Sequence, residues 1–272
     1  MRILALFLLA LTLYAKELVV VSIEPQRYFV QQIAKDLVDV EVLVPHGSSP
    51  ATYAIKPSQL RALKEAKLYF TIGVPFEEHY LDRIKASAPH LKIIDSGRYV
   101  KRFFLSHDGQ THPDPHIWLA PPYVMSIARV VTEELCKIDP NHATNYLQNY
   151  QTFIQNLAKI DSEIFTQLLP LKKRSFIVYH PSFGYFAKVY GLRQIAIEHE
   201  GKSPRAKELE KLIKRAKKEG ITTIFIEPQF PRRSAELLAR KIGAKIEVID
   251  PLAPDWEANI KRIADAISHQ DH

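Results

Sequence analysis

Three residues far apart in the chain have the right types to hold a divalent ion together. His116 sits in Asp114-Pro115-His116-Ile117-Trp118-Leu119, His180 follows the run Ser175–Tyr179, and Asp250 follows the run Lys245–Ile249. Two imidazoles and a carboxylate suit zinc, which takes His nitrogen at about 2.0–2.1 Å and carboxylate oxygen at about 2.0–2.2 Å. A histidine at a strand end serves equally as a structural hydrogen-bonder. No local pattern such as H-E-x-x-H ties the three together, so spacing alone leaves both readings open.

Eleven His is a high count. His107, His112 and Asp114 form a polar cluster just ahead of His116, and Ser268-His269-Gln270-Asp271-His272 forms a second at the terminus. Such tracts either bind metal loosely or are solvated loop and tail. His79, His90, His142 and His199 are scattered and read as surface residues. Ser182 and Ser203 lie near histidines, but no G-x-S-x-G elbow accompanies them. Glu227, in Ile226-Glu227-Pro228, follows a strand and reads as a base or as a supporting group. The single cysteine, Cys136, excludes an intrachain disulfide and a cysteine-based zinc site, and reads as a small buried residue on a helix.

These residues stand in a chain of 272 residues, 46% apolar and 25% charged, an ordinary globular composition. Only 9 Gly are present, and no G-x-G-x-x-G or G-x-x-x-x-G-K-[ST] pattern offers a phosphate cradle. The net charge is +7 with a pI near 9.3. The basic residues are spread along the chain, and the densest run, Lys202 to Lys218, is interleaved with Glu208 and Glu210. That is the solvated face of a helix, and nucleic acid is not the expected partner.

Residues 1–15 read as a signal peptide. Arg2 precedes an apolar run from Ile3 to Leu13, and Ala15 follows as a small cleavage residue. The run is shorter than the roughly 20 residues of a membrane span. The expectation is an exported, periplasmic protein.

From residue 16 the pattern alternates strand and helix. Strands are predicted at Leu18–Ile23, Val40–Val44, Leu68–Ile72 and Leu91–Ile94, with helices at Pro25–Asp36, Ser58–Ala66 and Glu77–Ala86. A helix follows at Pro121–Ile138. After Asp139-Pro140 no Gly or Pro occurs until Pro170, and Tyr146, Tyr150, Phe153, Leu157, Ile160, Ile164 and Leu168 form one apolar stripe. Roughly 29 residues at about 1.5 Å each give a rod of about 43 Å. Alternation returns with strands Ser175–Tyr179, Arg193–Ile197, Thr222–Ile226 and Lys245–Ile249, and helices near Ser182–Tyr190, Pro204–Glu219, Arg232–Ile242 and Trp256–Ile267. The predicted fold is α/β: an N-terminal βα lobe over 16–139, a long rigid linking helix over 140–169, and a C-terminal βα lobe over 170–272. Each lobe carries a mainly parallel sheet. Ligands of open α/β sheets bind beyond the carboxyl ends of the strands, so the cleft between the lobes is the expected site.

The order of motifs resembles the periplasmic metal-binding components of zinc and manganese ABC importers, the ZnuA/TroA-like solute-binding proteins. The matching segments are Val44-Pro45-His46-Gly47-Ser48-Ser49-Pro50-Ala51-Thr52-Tyr53, Lys56-Pro57-Ser58-Gln59-Leu60 and Asp114-Pro115-His116-Ile117-Trp118-Leu119-Ala120-Pro121. They continue with His180-Pro181-Ser182-Phe183-Gly184-Tyr185-Phe186, Tyr190-Gly191-Leu192, Phe225-Ile226-Glu227-Pro228-Gln229 and Asp250-Pro251-Leu252.

The resemblance implies a metal held between two lobes, delivery to an ABC-type membrane permease, no catalysis, and a monomer. It carries His116, His180 and Asp250 over as ligands. His180 stands where manganese-type members often have Glu, which favours zinc over manganese; zinc is the expected cargo, with manganese or nickel as the lesser choices. The family's first ligand is a His where this chain has Ala51, and Ala54 and Ile55 replace the usual Glu and Pro. His46, five residues before Ala51, stands where Pro is usual and is the named substitute; His107, His112 or a water are the others, and a site weakened or retuned to another metal is the remaining explanation. Two His, one Asp and an open position also describe a catalytic zinc, so a periplasmic zinc hydrolase using Glu227 is the alternative, with a metal-binding adhesin as a third reading. Ligand imidazoles must be neutral, so acid is expected to release the metal.

Overall fold

The computed structural model describes residues 16–107, 110–198 and 203–271. The segment read as a signal peptide lies outside them. The run Leu18-Val19-Val20-Val21 is apolar without alternation, β-branched from Val19 on, and Val19, Val20 and Val21 are fully buried, as a strand covered on both faces requires. It forms most of β1 (Glu17–Val21). There follow α1 (Glu24–Ala34), β2 (Val38–Val42), α2 (Pro57–Glu65), β3 (Leu68–Thr71), α3 (Pro75–Ser87) and β4 (Lys92–Asp95). The four strands pair in parallel in the order β2-β1-β3-β4.

Next comes an element the sequence did not predict. β5 (Phe104–His107) and β6 (Gln110–Pro113) pair antiparallel, with Leu105 opposite His112. The stretch read as a solvated polar loop or a metal-gathering tract is therefore a hairpin; residues 108–109 at its tip lie outside the described residues. A single 3₁₀ turn, Ile117–Leu119, leads into α4 (Pro121–Ile138).

The long helix, α5 (Ala143–Leu168), has 26 residues and is about 39 Å long. It begins later than predicted because Pro140–His142 make a separate 3₁₀ turn. Asp139 is engaged there by His142 Nδ1 at 2.6 Å and by the Tyr146 hydroxyl at 2.7 Å. The predicted stripe is buried except at Tyr150, which is half-buried.

The rest of the chain comprises β7 (Ser175–Val178), α6 (Gly184–Val189), β8 (Arg193–Ala196), α7 (Ala206–Lys218), β9 (Thr223–Ile226), α8 (Arg233–Ile242), β10 (Lys245–Val248) and α9 (Trp256–Ser268). The second sheet is also parallel, in the order β10-β9-β7-β8. The helix predicted from Pro204 begins two residues later in α7. The helix starts at Ala206, and Glu208 accepts from the Arg205 N–H at 2.7 Å. Ala216 is the only fully buried residue of α7, which presents its lysines to solvent as the charge pattern implied. The chain is docked as far as Gln270 and is not a free tail there. Gln270 is buried and its carbonyl accepts from the Thr222 hydroxyl.

One apolar core runs from the first sheet through α1, α4, α5 and α9 to the inner face of the second sheet. A separate cluster lies under α7 and α8 on the opposite face. Among the described residues no helix is long and apolar enough to cross a membrane.

Candidate metal centre

The residues that follow the four strands of the second sheet define the candidate site. In spatial order across the sheet, Asp250 follows β10, Glu227 follows β9, His180 follows β7 and Glu198 follows β8. Parallel strands bring four chemically active side chains to one edge, although they are scattered through the sequence. The facing wall is supplied by the loops after β2 and β3 and by the segment before α4.

His180 is part-buried. Its Nδ1 lies 2.6 Å from Glu198 Oε1, and its ring stacks on Phe230 with centroids 4.5 Å apart. Glu198 is itself buried. A carboxylate that accepts from Nδ1–H places the proton there and leaves the Nε2 lone pair free for a metal. Burial, assisted by the neighbouring His116, holds the His180 pKa below the usual imidazole value against the opposing pull of Glu198. The neutral ring is the form that coordinates a cation.

His116 is built in the same way. Asp114 is buried, and its Oδ1 accepts from the His116 backbone N–H at 3.0 Å and faces Nδ1 at 2.7 Å. The Asp114 loop is tied down by Tyr185 of α6, whose hydroxyl donates to the Asp114 carbonyl and accepts from the Phe103 N–H, each at 3.0 Å. Gly184 permits this approach: a Cβ there would stand 2.9 Å from Asp114 Oδ2. The rings of His116 and His180 meet edge to face with centroids 5.3 Å apart.

Asp250 is held elsewhere on the same edge. Its Oδ1 accepts from Gln229 Nε2 at 2.8 Å and from the Leu252 N–H at 2.9 Å. Its Oδ2 lies 2.9 Å from Nε2 of His46, which comes from the loop after β2. The sequence-predicted residues are thus brought together as two pairs, His116 with His180 and His46 with Asp250. Among the described residues no group of three or more His, Cys, Asp or Glu side chains stands close enough to hold a metal ion as placed.

A cleft of about 530 Å³ lies between these walls. Ala51, Gly73 and His112 line it on one side, His116 and Trp118 at the centre, and His180, Glu198 and Gln229 on the other. Ala51 therefore faces the cavity without offering a donor. Beneath the first wall, the buried carboxyl of Glu77 accepts from the Ser22 hydroxyl at 2.5 Å and from the N–H groups of Ile72 and Gly73 at 2.8 and 2.7 Å. Burial pushes the Glu77 pKa up to about 7 against those hydrogen bonds. Gly73 adopts φ +92° with the Arg102 guanidinium packed where a side chain would begin, so only glycine fits this turn.

Glu227 is not placed as a catalytic base. It is 1% exposed, and both its oxygens face the His180 backbone N–H at 3.2 and 3.3 Å. Burial, reinforced by the charges of Glu198 and Asp250, raises its pKa well above the usual carboxylate range. It props the His180 loop.

The match to known proteins accords with this architecture. The family described as zinc-uptake complex component A, periplasmic, matches residues 19–270. The chain belongs to that family. It is 31% identical over 249 residues to the high-affinity zinc uptake system protein ZnuA of Bacillus subtilis (strain 168), spanning 86% of this chain and 78% of that one. A crystal structure of ZnuA superimposes with a TM-score of 0.91 at 41% identity, covering 95% of this chain and all (100%) of the other. A zinc-bound 138-173 deletion mutant of ZnuA gives a TM-score of 0.90 at 42% identity over 94% of this chain and 98% of that one. The parallel sheets and long central helix are the family's fold.

Sequence reasoning missed Glu198 and Gln229 and saw Asp114 only as part of a polar cluster. A usable signal existed for two of them. Glu198 follows β8 as His180 follows β7, and Asp114 sits two residues before His116, a spacing that lets one carboxylate reach both backbone and ring.

Proposed function

We propose that the protein captures a divalent transition metal, zinc foremost, in the cleft beside His116 and His180 and delivers it to an ABC-type membrane permease. The observation that carries this reading is the pair of imidazoles 5.3 Å apart, each backed at Nδ1 by a buried carboxylate. That arrangement leaves two Nε2 lone pairs for one ion. Asp250 supplies an oxygen, and His46, already in contact with it, supplies the imidazole that Ala51 lacks. Small closing movements of the His46 loop and the Asp250 loop bring this second pair to the first. The long α5, packed on α1 and α4 at one side and α9 at the other, keeps that movement small.

The protein is read as an exported monomer with a cleaved signal over 1–15, an N-terminal lobe to residue 139, a linking helix over 140–169 and a C-terminal lobe beyond. The family is one of metal capture and not of enzymes. The buried, propping Glu227 gives a hydrolase no base, and the zinc-uptake relatives favour transport over adhesion.

Isothermal titration with zinc tests the reading. Wild-type protein is expected to bind one equivalent, and His116→Ala or His180→Ala to weaken binding by about 100-fold or more. Unchanged affinity in both variants would overturn the site.

A further inference from the structure

We propose that Gln229 sets the metal preference of the cleft by occupying one oxygen of Asp250, so that this carboxylate meets an ion through a single oxygen. The proposal rests on the capture reading given above.

Asp250 is fixed from three directions. Its Oδ1 takes both the Gln229 amide N–H and the Leu252 backbone N–H, at 2.8 and 2.9 Å. Its main-chain carbonyl takes the Asn259 amide N–H at 2.6 Å. Only Oδ2 is turned toward another proposed donor, the His46 ring at 2.9 Å, and an ion would take the place of the hydrogen bond between them. The amide of Gln229 has one orientation, since its nitrogen must face the carboxylate. In that orientation Gln229 Oε1 is buried with no hydrogen-bond partner among the described residues. An unpartnered buried carbonyl is unfavourable. Local packing alone would not favour it, whereas the clamp on Oδ1 accounts for it.

The coordination chemistry supplies the consequence. Zinc is satisfied by four ligands and accepts imidazole nitrogen with a single carboxylate oxygen. Manganese prefers six oxygen-rich ligands, and a carboxylate offering both oxygens helps to reach that number. A clamp on Oδ1 withholds the second oxygen. It favours the low-coordinate, nitrogen-rich arrangement without touching the ion. Gln229 is thus a positioning residue that acts through Asp250.

The test compares the full chain with its Gln229→Leu and Gln229→Glu variants, titrated with zinc chloride and with manganese chloride, with circular dichroism to verify folding. Leucine removes the side-chain N–H donor and leaves Oδ1 the Leu252 N–H alone; glutamate keeps the shape and turns an oxygen toward Oδ1. The ratio of zinc to manganese affinity is expected to fall by about tenfold or more in each variant. X-ray absorption of the zinc-loaded variants is expected to show an added oxygen in the coordination shell. A ratio and a shell both unchanged in a folded variant, with zinc bound tightly by the wild type, would overturn the role of Gln229 alone. Failure of the wild type to bind zinc would overturn the capture reading itself.

Discussion

Trp118 and Trp256 are linked through one peptide group. The indole N–H of Trp256 donates to the carbonyl of Trp118 at 2.7 Å, while the indole of Trp118 donates onward to the carbonyl of Pro251 at 2.7 Å. Both rings are buried. The chain of bonds runs from α9 to the turn that follows His116 and on to the residue after Asp250, so it sets the spacing of the two loops that carry these proposed ligands. Trp118→Phe keeps the apolar bulk and removes the donor. A loss of about 1–3 kcal/mol in stability is expected by chemical denaturation. Zinc affinity is expected to drop about tenfold as the two loops lose register. Stability lost with affinity intact would mean that the link is structural only.

The carboxylates behind the imidazoles give a separate prediction. Asp114→Asn and Glu198→Gln keep shape but change what the Nδ1 atoms face. Each is expected to weaken zinc binding by about 10–100-fold while the fold, read by circular dichroism, is retained. The double variant is expected to lose roughly the product of the two, since each carboxylate serves a different ring.

The substitute ligand is tested by an exchange. His46→Ala is expected to weaken zinc binding by about tenfold or more, and Ala51→His, at a position that lines the cleft with His116 and His180, to restore it in the His46→Ala background. Calorimetry on the four combinations reads this directly. Rescue would show that the two positions supply the same donor.

Glu77 predicts the pH dependence of stability. Its folded pKa of about 7 lies above the ordinary carboxyl value, so the folded chain holds a proton that the unfolded chain releases. The associated stability is complete below about pH 4.5 and is lost as pH rises through 7, amounting to roughly 3 kcal/mol over that interval. Glu77→Gln is expected to flatten this slope, measured as denaturant midpoints at pH 5 and pH 8. An identical slope in the variant would place the titration elsewhere.

Much of this was legible from residues alone, for identifiable reasons. The strands β1, β3, β7 and β9 are short apolar runs between helical stretches, a pattern that fixes parallel pairing and so the strand edge that bears the site. His116 and His180 could be picked out by their place relative to those runs. The hairpin β5–β6 was missed although Asp108-Gly109 is a turn dipeptide, because the runs on either side of it are short and mostly polar. The start of α5 was misjudged because Asp139 accepts from the Tyr146 hydroxyl and meets His142, and these contacts make a separate turn. Gln229 was hidden for a further reason. Its importance lies in which oxygen of Asp250 it faces, and that is a matter of angles between two loops 21 positions apart.

The division of the apolar interior has its own consequence. The larger cluster is shared by both sheets and threaded by α5, so these parts must melt together in a single transition. The smaller cluster, roofed by α7 and α8 on the outer face of the second sheet, is sealed by fewer side chains. Amides beneath that roof should exchange with deuterium well before those of α5. Cargo held on the far side, at the mouth of the cleft, would slow the exchange of both.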